Sequence, residues 1–212
     1  MKTINKFRGD FAFLSNFYPC RVEYERQAFG SAEAAFQAAK CRNPRDRIPF
    51  QGYSPSQAKI AGRRAKLRSD WEQVKSDAMY DILKSKFSAD PVLAHKLLET
   101  DGFALVEGNQ WHDNFWGDCS CPKCKSNSGQ NMLGKLLMQI RSELMIAERK
   151  AAAGPFYYEG RWYQNTGLFC RRCHRPVYKS DNSKYSYQCF YCDEDLFPFE
   201  AESAAGKHWK EK

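Results

Sequence analysis

Apolar residues recur at helical spacing in three stretches of the chain. Trp71, Val74, Ala78 and Ile82, with Met79, Leu83 and Phe87, form the first stripe. Leu93, Leu97 and Leu98 form the second, behind Asp90-Pro91. Met132, Leu133, Leu136, Leu137, Ile140 and Leu144 form the third. The pattern predicts a helix capped by Ser69, a helix starting at Asp90-Pro91, and a helix from Asn131 to about Arg149. Ser31 reads as the N-cap of a further helix, Ala32 to Lys40, and Tyr53-Ser54-Pro55-Ser56 opens another, Gln57 to Arg64. Strands are expected at Thr3 to Phe7, at the alternating segment Arg21 to Phe29, and at Phe103 to Glu107 after the helix-ending Gly102. At Ala151-Ala152-Ala153-Gly154-Pro155 the pattern shifts as at a linker. Beyond it, Gly167–Phe169, Val177–Lys179 and Tyr185–Cys189 read as short hairpin strands. The expected fold is therefore α+β: a mainly helical domain with a few short strands over residues 1–150, then a linker and a small β module over 151–212.

Two segments do not fit a purely architectural role. Arg8 to Cys20 is rich in turn formers, yet it and the residue before it carry five aromatics: Phe7, Phe11, Phe13, Phe17 and Tyr18. Such rings either staple a loop to the core or line a pocket. Asn109 to Gly117 packs two tryptophans, a histidine, two asparagines and an aspartate into a short connection, where function commonly resides. On the Ser31-capped helix, Glu33, Gln37 and Lys40 share one face at i, i+4 and i+7. Spacing alone reads as a solvated polar face, but Glu33 also sits in the first turn, where the helix dipole favours a carboxylate.

Charge adds a preference for partners. The net charge is +8. Residues 1–154 hold 24 Lys and Arg against 17 Asp and Glu, a net +7, and residues 155–212 hold 9 against 8, a net +1. A basic larger part suits phosphate-bearing ligands or nucleic acid, and equally a merely soluble surface. No apolar run is long enough to span a bilayer and the N-terminus lacks an apolar leader, so a cytoplasmic protein with no membrane partner is expected.

Seven of the nine cysteines cluster. Cys170-x2-Cys173, fifteen residues, then Cys189-x2-Cys192 is the spacing of a zinc ribbon. Four thiolates close the coordination sphere, so a structural zinc is expected there. The 58-residue tail also needs such a staple, being too small for a comfortable core of its own. Cys119, Cys121 and Cys124 offer three ligands of a second metal site, with His112 or Cys41 as the fourth. The alternative is three free thiols in a surface loop.

Four blocks, FRGDFAFLSNFYPC, FGSAEAAFQAAK, LVEGNQWHDNFWGDC and GQNMLGKLLMQIR, resemble in order and spacing the signatures of the NADAR (YbiA-like) domain family. The resemblance covers about residues 3 to 149, leaves the ribbon outside, and is interrupted by the Cys-rich insert at 119–128. It implies a domain that binds NAD- or ADP-ribose-like ligands without an organic cofactor. It also implies an N-glycosidase, acting either on phosphoribosylated intermediates of riboflavin biosynthesis or on ADP-ribosyl guanine in nucleic acid. Breaking a ribosyl C1′–N bond builds positive charge on the sugar, which calls for a carboxylate. Glu33, matching the acidic residue of the second block, is the first choice and Asp113 the second. Asn16, Lys40, Trp111, His112, Trp116 and Gly117 are the expected ligand-binding residues: Lys40 for phosphate, Asn16 for ribose or base, the tryptophans for stacking, Gly117 for close approach. His112 reads either as an acid/base or as a structural loop residue. The competing functions are a non-catalytic NAD or ADP-ribose sensor, and a nucleic-acid adaptor working through the ribbon with DNA or RNA as partner.

Overall fold

The computed structural model describes residues 2–203 apart from Lys125, Ala153 and His174. The chain divides into two compact units, Met1–Leu144 and Met145–Lys212. No described helix is long and apolar enough to cross a membrane.

The first unit is built around a helix that is buried on every side. α1 (Ala32–Ala39) has all eight residues in the interior. Ala32, Ala34, Ala35, Ala38 and Ala39 let neighbours approach its axis closely, and Ser31 caps it by accepting a hydrogen bond from the Ala34 amide. The hairpin before it, β1 (Pro19–Tyr24) and β2 (Gln27–Ser31), turns at Glu25 and Arg26, both at positive φ. A single strand was expected over Arg21 to Phe29; two residues in left-handed conformation fold it back on itself. α2 (Pro55–Gly62) opens on a Ser54–Gln57 capping box, and Gly62 lies where any Cβ would come within 1.9 Å of Gln37 Oε1. α3 (Trp71–Ala89) and α4 (Pro91–Leu98) carry the first two apolar stripes into the core. The start of α3 differs from expectation. Its N-cap is Asp70, not Ser69, and the Asp70 carboxylate makes no cap bond because both its oxygens accept from Arg68, at 2.7 and 3.0 Å.

Lys2–Ile4 pairs in parallel with Phe103–Leu105, and Gly108–Asn109 with Asp118–Cys119. The strands of the first pair are shorter than the expected Thr3–Phe7 and Phe103–Glu107, and the second pair lies in a stretch expected to be a loop. α5 (Met132–Ala152) then packs Leu133, Leu136, Leu137 and Ile140 into the same core. It continues through Ala151 and Ala152, placed in the expected linker, because alanine favours helix until Gly154-Pro155 intervenes. Two 3-10 segments, Gly9–Leu14 and Pro44–Gly52, have no periodicity that would have revealed them.

The second unit holds a hairpin, Phe156–Tyr158 with Arg161–Tyr163, and a five-stranded antiparallel sheet. In sheet order the strands are Glu194–Leu196, Tyr187–Cys189, Pro176–Lys179, Asn165–Cys170 and Ala201–Ser203. Its buried apolar cluster is small: Cys170, Val177, Cys189, Leu196 and Ala201. The α+β class, helical domain plus small Cys-rich β module, is as expected from the sequence.

Candidate active site

A cavity of about 790 Å³ opens in the first unit. That volume suits a nucleotide-sized ligand. Its walls come from the Arg8–Pro19 segment, α1, Lys59 of α2, Met79 of α3, and the loop leaving Phe103–Leu105.

Each wall is fixed by identifiable bonds. The Glu33 amide donates to the Asn16 carbonyl at 2.9 Å, joining the aromatic-rich segment to the start of α1. Lys86, fully buried, donates to the Ser15 carbonyl at 2.8 Å and holds the same segment from behind. Burial pushes that ammonium down to about 8. Across the cavity, Asn131 is the pin. Its side chain accepts from the Glu107 amide at 3.0 Å and donates to the Leu105 carbonyl at 2.8 Å. Inside the loop, Asn109 Oδ1 accepts from the amides of Trp111 and Asp113, while its Nδ2 donates to the Asp113 carbonyl. The Phe115 and Trp116 carbonyls accept from Met132 and Leu133, so the loop satisfies free amides at the start of α5.

Of the residues singled out in the sequence, Asn16, Glu33, Lys40, Trp111, Asp113 and Trp116 line this cavity. Glu33 and Gln37 do not form a solvated face; each is only 6% exposed. Two of the expected ligand-binding residues are not on the wall. Gly117 is glycine for packing, since a Cβ there would meet the Glu107 carbonyl oxygen at 2.2 Å. His112 sits at the cysteine group, its Nδ1 3.2 Å from Cys121 Sγ. Cys41 is elsewhere, in the main core. Trp116 is half-buried and packs edge-on against Phe36 and Phe115, whereas Trp111 is exposed at the rim.

The residue that sequence reading passed over is Glu107. It lines the cavity beside Asp113, and its Oε2 is buried without a hydrogen-bond partner among the described residues. Burial, then the Asp113 charge, pushes its carboxyl up to about 7. It ends the expected strand, immediately before the conspicuous GNQWHDN run, and its place there and in the third family block were its signals. Burial also raises the Glu33 carboxyl, against the opposing pull of the Gln37 hydrogen bond and of Lys59 and Lys40; Asp113 adds to the rise. Burial lowers the Lys40 ammonium. Asp113 spends Oδ1 on the amides of Phe115 and Trp116, at 3.2 and 2.9 Å. Asn16 Oδ1 and Gln37 Oε1 are further buried acceptors without described partners, and both residues line the cavity. Three orphaned polar atoms around one space, with cations at Arg8, Lys40 and Lys59, make a wall suited to a polyhydroxylated, phosphate-bearing ligand.

The domain model described as "NADAR domain" matches residues 5–145. The chain belongs to the NADAR family. It is 35% identical over 140 residues to N-glycosidase YbiA of Escherichia coli (strain K12), covering 65% of this chain and 84% of that one. It is 36% identical over 153 residues to riboflavin biosynthesis protein PYRR, chloroplastic, of Zea mays, covering 64% of this chain and 24% of that protein. The match thus spans about a quarter of the maize protein's length. The fold is similar to the NMR structure of E. coli YbiA, with a TM-score of 0.63 and 29% identity over 76% of this chain and 92% of that chain.

Among the described residues two groups could hold a metal ion, each with all ligand atoms within 4.8 Å of one another: Cys170, Cys173, Cys189 and Cys192; and His112, Cys119, Cys121 and Cys124.

Proposed function

We propose that this protein hydrolyses the C1′–N bond of a phosphoribosyl or ADP-ribosyl compound. The observation that carries the reading is the cavity wall, where Glu33, Glu107 and Asp113 meet with Lys40, Lys59 and Arg8. Burial raises the Glu33 and Glu107 carboxyls, Glu107 up to about 7, so this wall offers a group able to carry a proton near neutral pH, as acid–base cleavage requires. Glu33 takes the proton of the attacking water and offsets the positive charge that develops on the sugar. Glu107, protonated up to about pH 7, gives its proton to the departing nitrogen. Asn16 and Gln37 bond ribose hydroxyls through their unpartnered oxygens. Lys40, Lys59 and Arg8 hold phosphate, and Trp111 stacks on the leaving base at the rim. The products are the free base and either a ribose phosphate, from a phosphoribosyl compound, or ADP-ribose, from an ADP-ribosyl one, with water supplying the C1′ hydroxyl.

The names of the maize relative and of its similarly named Arabidopsis thaliana counterpart favour phosphoribosylated riboflavin-pathway intermediates over ADP-ribosyl guanine in nucleic acid. Incubating the protein with each compound and following base release by chromatography tests this. Release from the riboflavin-pathway compounds supports the reading; release from ADP-ribosylated DNA alone moves the substrate to nucleic acid. Binding of ADP-ribose with release from neither leaves a non-catalytic sensor.

In the second unit we propose a structural zinc held by Cys170, Cys173, Cys189 and Cys192. The donor set fits. The sulfurs of Cys170 and Cys192 are 3.9 Å apart and those of Cys173 and Cys189 3.5 Å apart, close to the roughly 3.8 Å edge of a tetrahedron with zinc–sulfur bonds of about 2.3 Å. Four thiolates leave no open position, which suits structure and not catalysis.

A further inference from the structure

Three thiols crowd together beneath the cavity loop. Cys119, Cys121 and Cys124 are buried, none is in a disulfide, and they form a cluster separate from the main core. His112 faces them, with Nδ1 at 3.2 Å from Cys121 Sγ and 3.5 Å from Cys124 Sγ. Those separations match the roughly 3.5 Å expected between nitrogen and sulfur on one tetrahedral zinc. The His112 amide donates to Cys119 Sγ at 3.3 Å, an N–H···S contact that favours a thiolate. The backbone is bent to make this meeting: His112 has φ +67°, a left-handed conformation uncommon for a residue with a side chain. Its ring reaches back to the sulfurs while its neighbours on either side, Trp111 and Asp113, line the cavity.

The loop is otherwise held by hydrogen bonds, among them those from the amides of Gln130, Met132 and Leu133 to its Asn114, Phe115 and Trp116 carbonyls. Its ends meet in a parallel pair only two residues long, Gly108–Asn109 with Asp118–Cys119. Asn109 ties its first half and the Asp113 carboxylate its second. We infer that His112, Cys119, Cys121 and Cys124 bind a thiolate-preferring divalent metal of the zinc class, and that this metal clamps the 109–117 loop against the cavity. One residue between two cavity-lining residues is then fixed to an ion. The metal governs how Trp111 and Asp113 are presented, and His112 acts as a ligand and not as an acid or base. The part concerning the cavity rests on the N-glycosidase reading; the metal site does not.

The test uses the full chain and needs no substrate. Metal content after gel filtration, read by mass spectrometry, is two equivalents of zinc in the wild type and one in Cys121→Ser or in Cys173→Ser. A wild type with one equivalent, unchanged in Cys121→Ser, overturns the site. Hydrogen exchange of the 109–117 amides is faster in Cys121→Ser and unchanged in Cys173→Ser; equal exchange in both overturns the clamp. If Cys121→Ser does not fold, His112→Ala and His112→Cys replace it. His112→Ala loses one equivalent, whereas His112→Cys retains both and shifts the visible bands of the cobalt-substituted protein toward all-sulfur coordination. Two equivalents in His112→Ala would remove His112 from the ligand set. Failure of the glycosidase reading would leave every one of these readouts in place.

Discussion

Glu107 shows why a residue of a candidate site can be silent in the sequence. A glutamate at a strand end is ordinary; what sets it apart is a buried, unpartnered oxygen near Asp113, which only the folded chain creates. Two expectations follow from its carboxyl being pushed from 4.5 up to about 7. Acting as an acid, it must be protonated, so base release falls as pH rises through about 7. Glu107→Gln removes that alkaline limb from the pH–rate profile and lowers the plateau about 100-fold or more. The second expectation concerns stability. In the unfolded chain the same carboxyl ionises near its ordinary value, so between that value and about 7 the folded state holds the extra proton. Stability therefore declines across this window as pH rises. Glu107→Gln makes the free protein more stable than wild type at pH 8, by on the order of 2 kcal/mol in urea unfolding, and equal to it near pH 4. Glu33 was visible earlier because its spacing with Gln37 and Lys40 marks a face; that the face is buried was not visible, since periodicity gives a side of a helix and not what covers it.

Among the elements, α1 carries Glu33, the proposed catalytic carboxylate, and Ser31 sets where the helix begins. Ser31→Ala removes the Ala34 cap and costs about 1 kcal/mol of stability. Glu33 lies two residues into the helix, so ligand affinity weakens in the same variant; calorimetry with ADP-ribose reads this directly. Close packing of α5 makes a sharper contrast. A Cβ on Gly134 would meet the Leu105 carbonyl oxygen at 2.1 Å and Asn131 Nδ2 at 2.5 Å, whereas at Gly52 nothing lies within 4 Å. Gly134→Ala displaces the Asn131 pin and costs about 2 kcal/mol or more, while Gly52→Ala changes the urea midpoint little. Helices with apolar stripes, and those opened by Ser31, Ser54 and Asp90, were legible in the sequence because caps and period are local signals. The β1–β2 turn was not, because Glu25 and Arg26 are unusual residues for positive φ. The 3-10 segment Gly9–Leu14 was legible only as an aromatic-rich stretch, since its rings are placed by distant partners. At α3 the residue before the helix is Asp70 and not the expected Ser69, a shift of one position, and Arg68 occupies the Asp70 carboxylate that could have capped it.

At the scale of the whole molecule, the two units depend on different forces. The first has an extended apolar core around α1. Among the described residues the second buries only Cys170, Val177, Tyr178, Cys189, Leu196 and Ala201, and two of these, Cys170 and Cys189, are ligands of the proposed zinc. Metal binding is then much of its folding free energy, on the order of 10 kcal/mol for such sites. Chelation by a strong thiol-competing agent, or Cys173→Ser, collapses the amide dispersion of residues 156–203 in an NMR spectrum and leaves signals from α3 and α4 in place. Across the NADAR family match, residues 5–145, the chain carries a cavity whose central feature is Glu33 on a helix with no solvated side. The decisive measurement is base release from a phosphoribosylated riboflavin-pathway intermediate by wild type and by Glu33→Gln, at equal metal content. A wild-type rate that drops about 100-fold to 10,000-fold in the variant, with folding and zinc unchanged, is the predicted result. Turnover near wild type in Glu33→Gln would contradict the assignment of the catalytic carboxylate and return the role to Asp113 or Glu107.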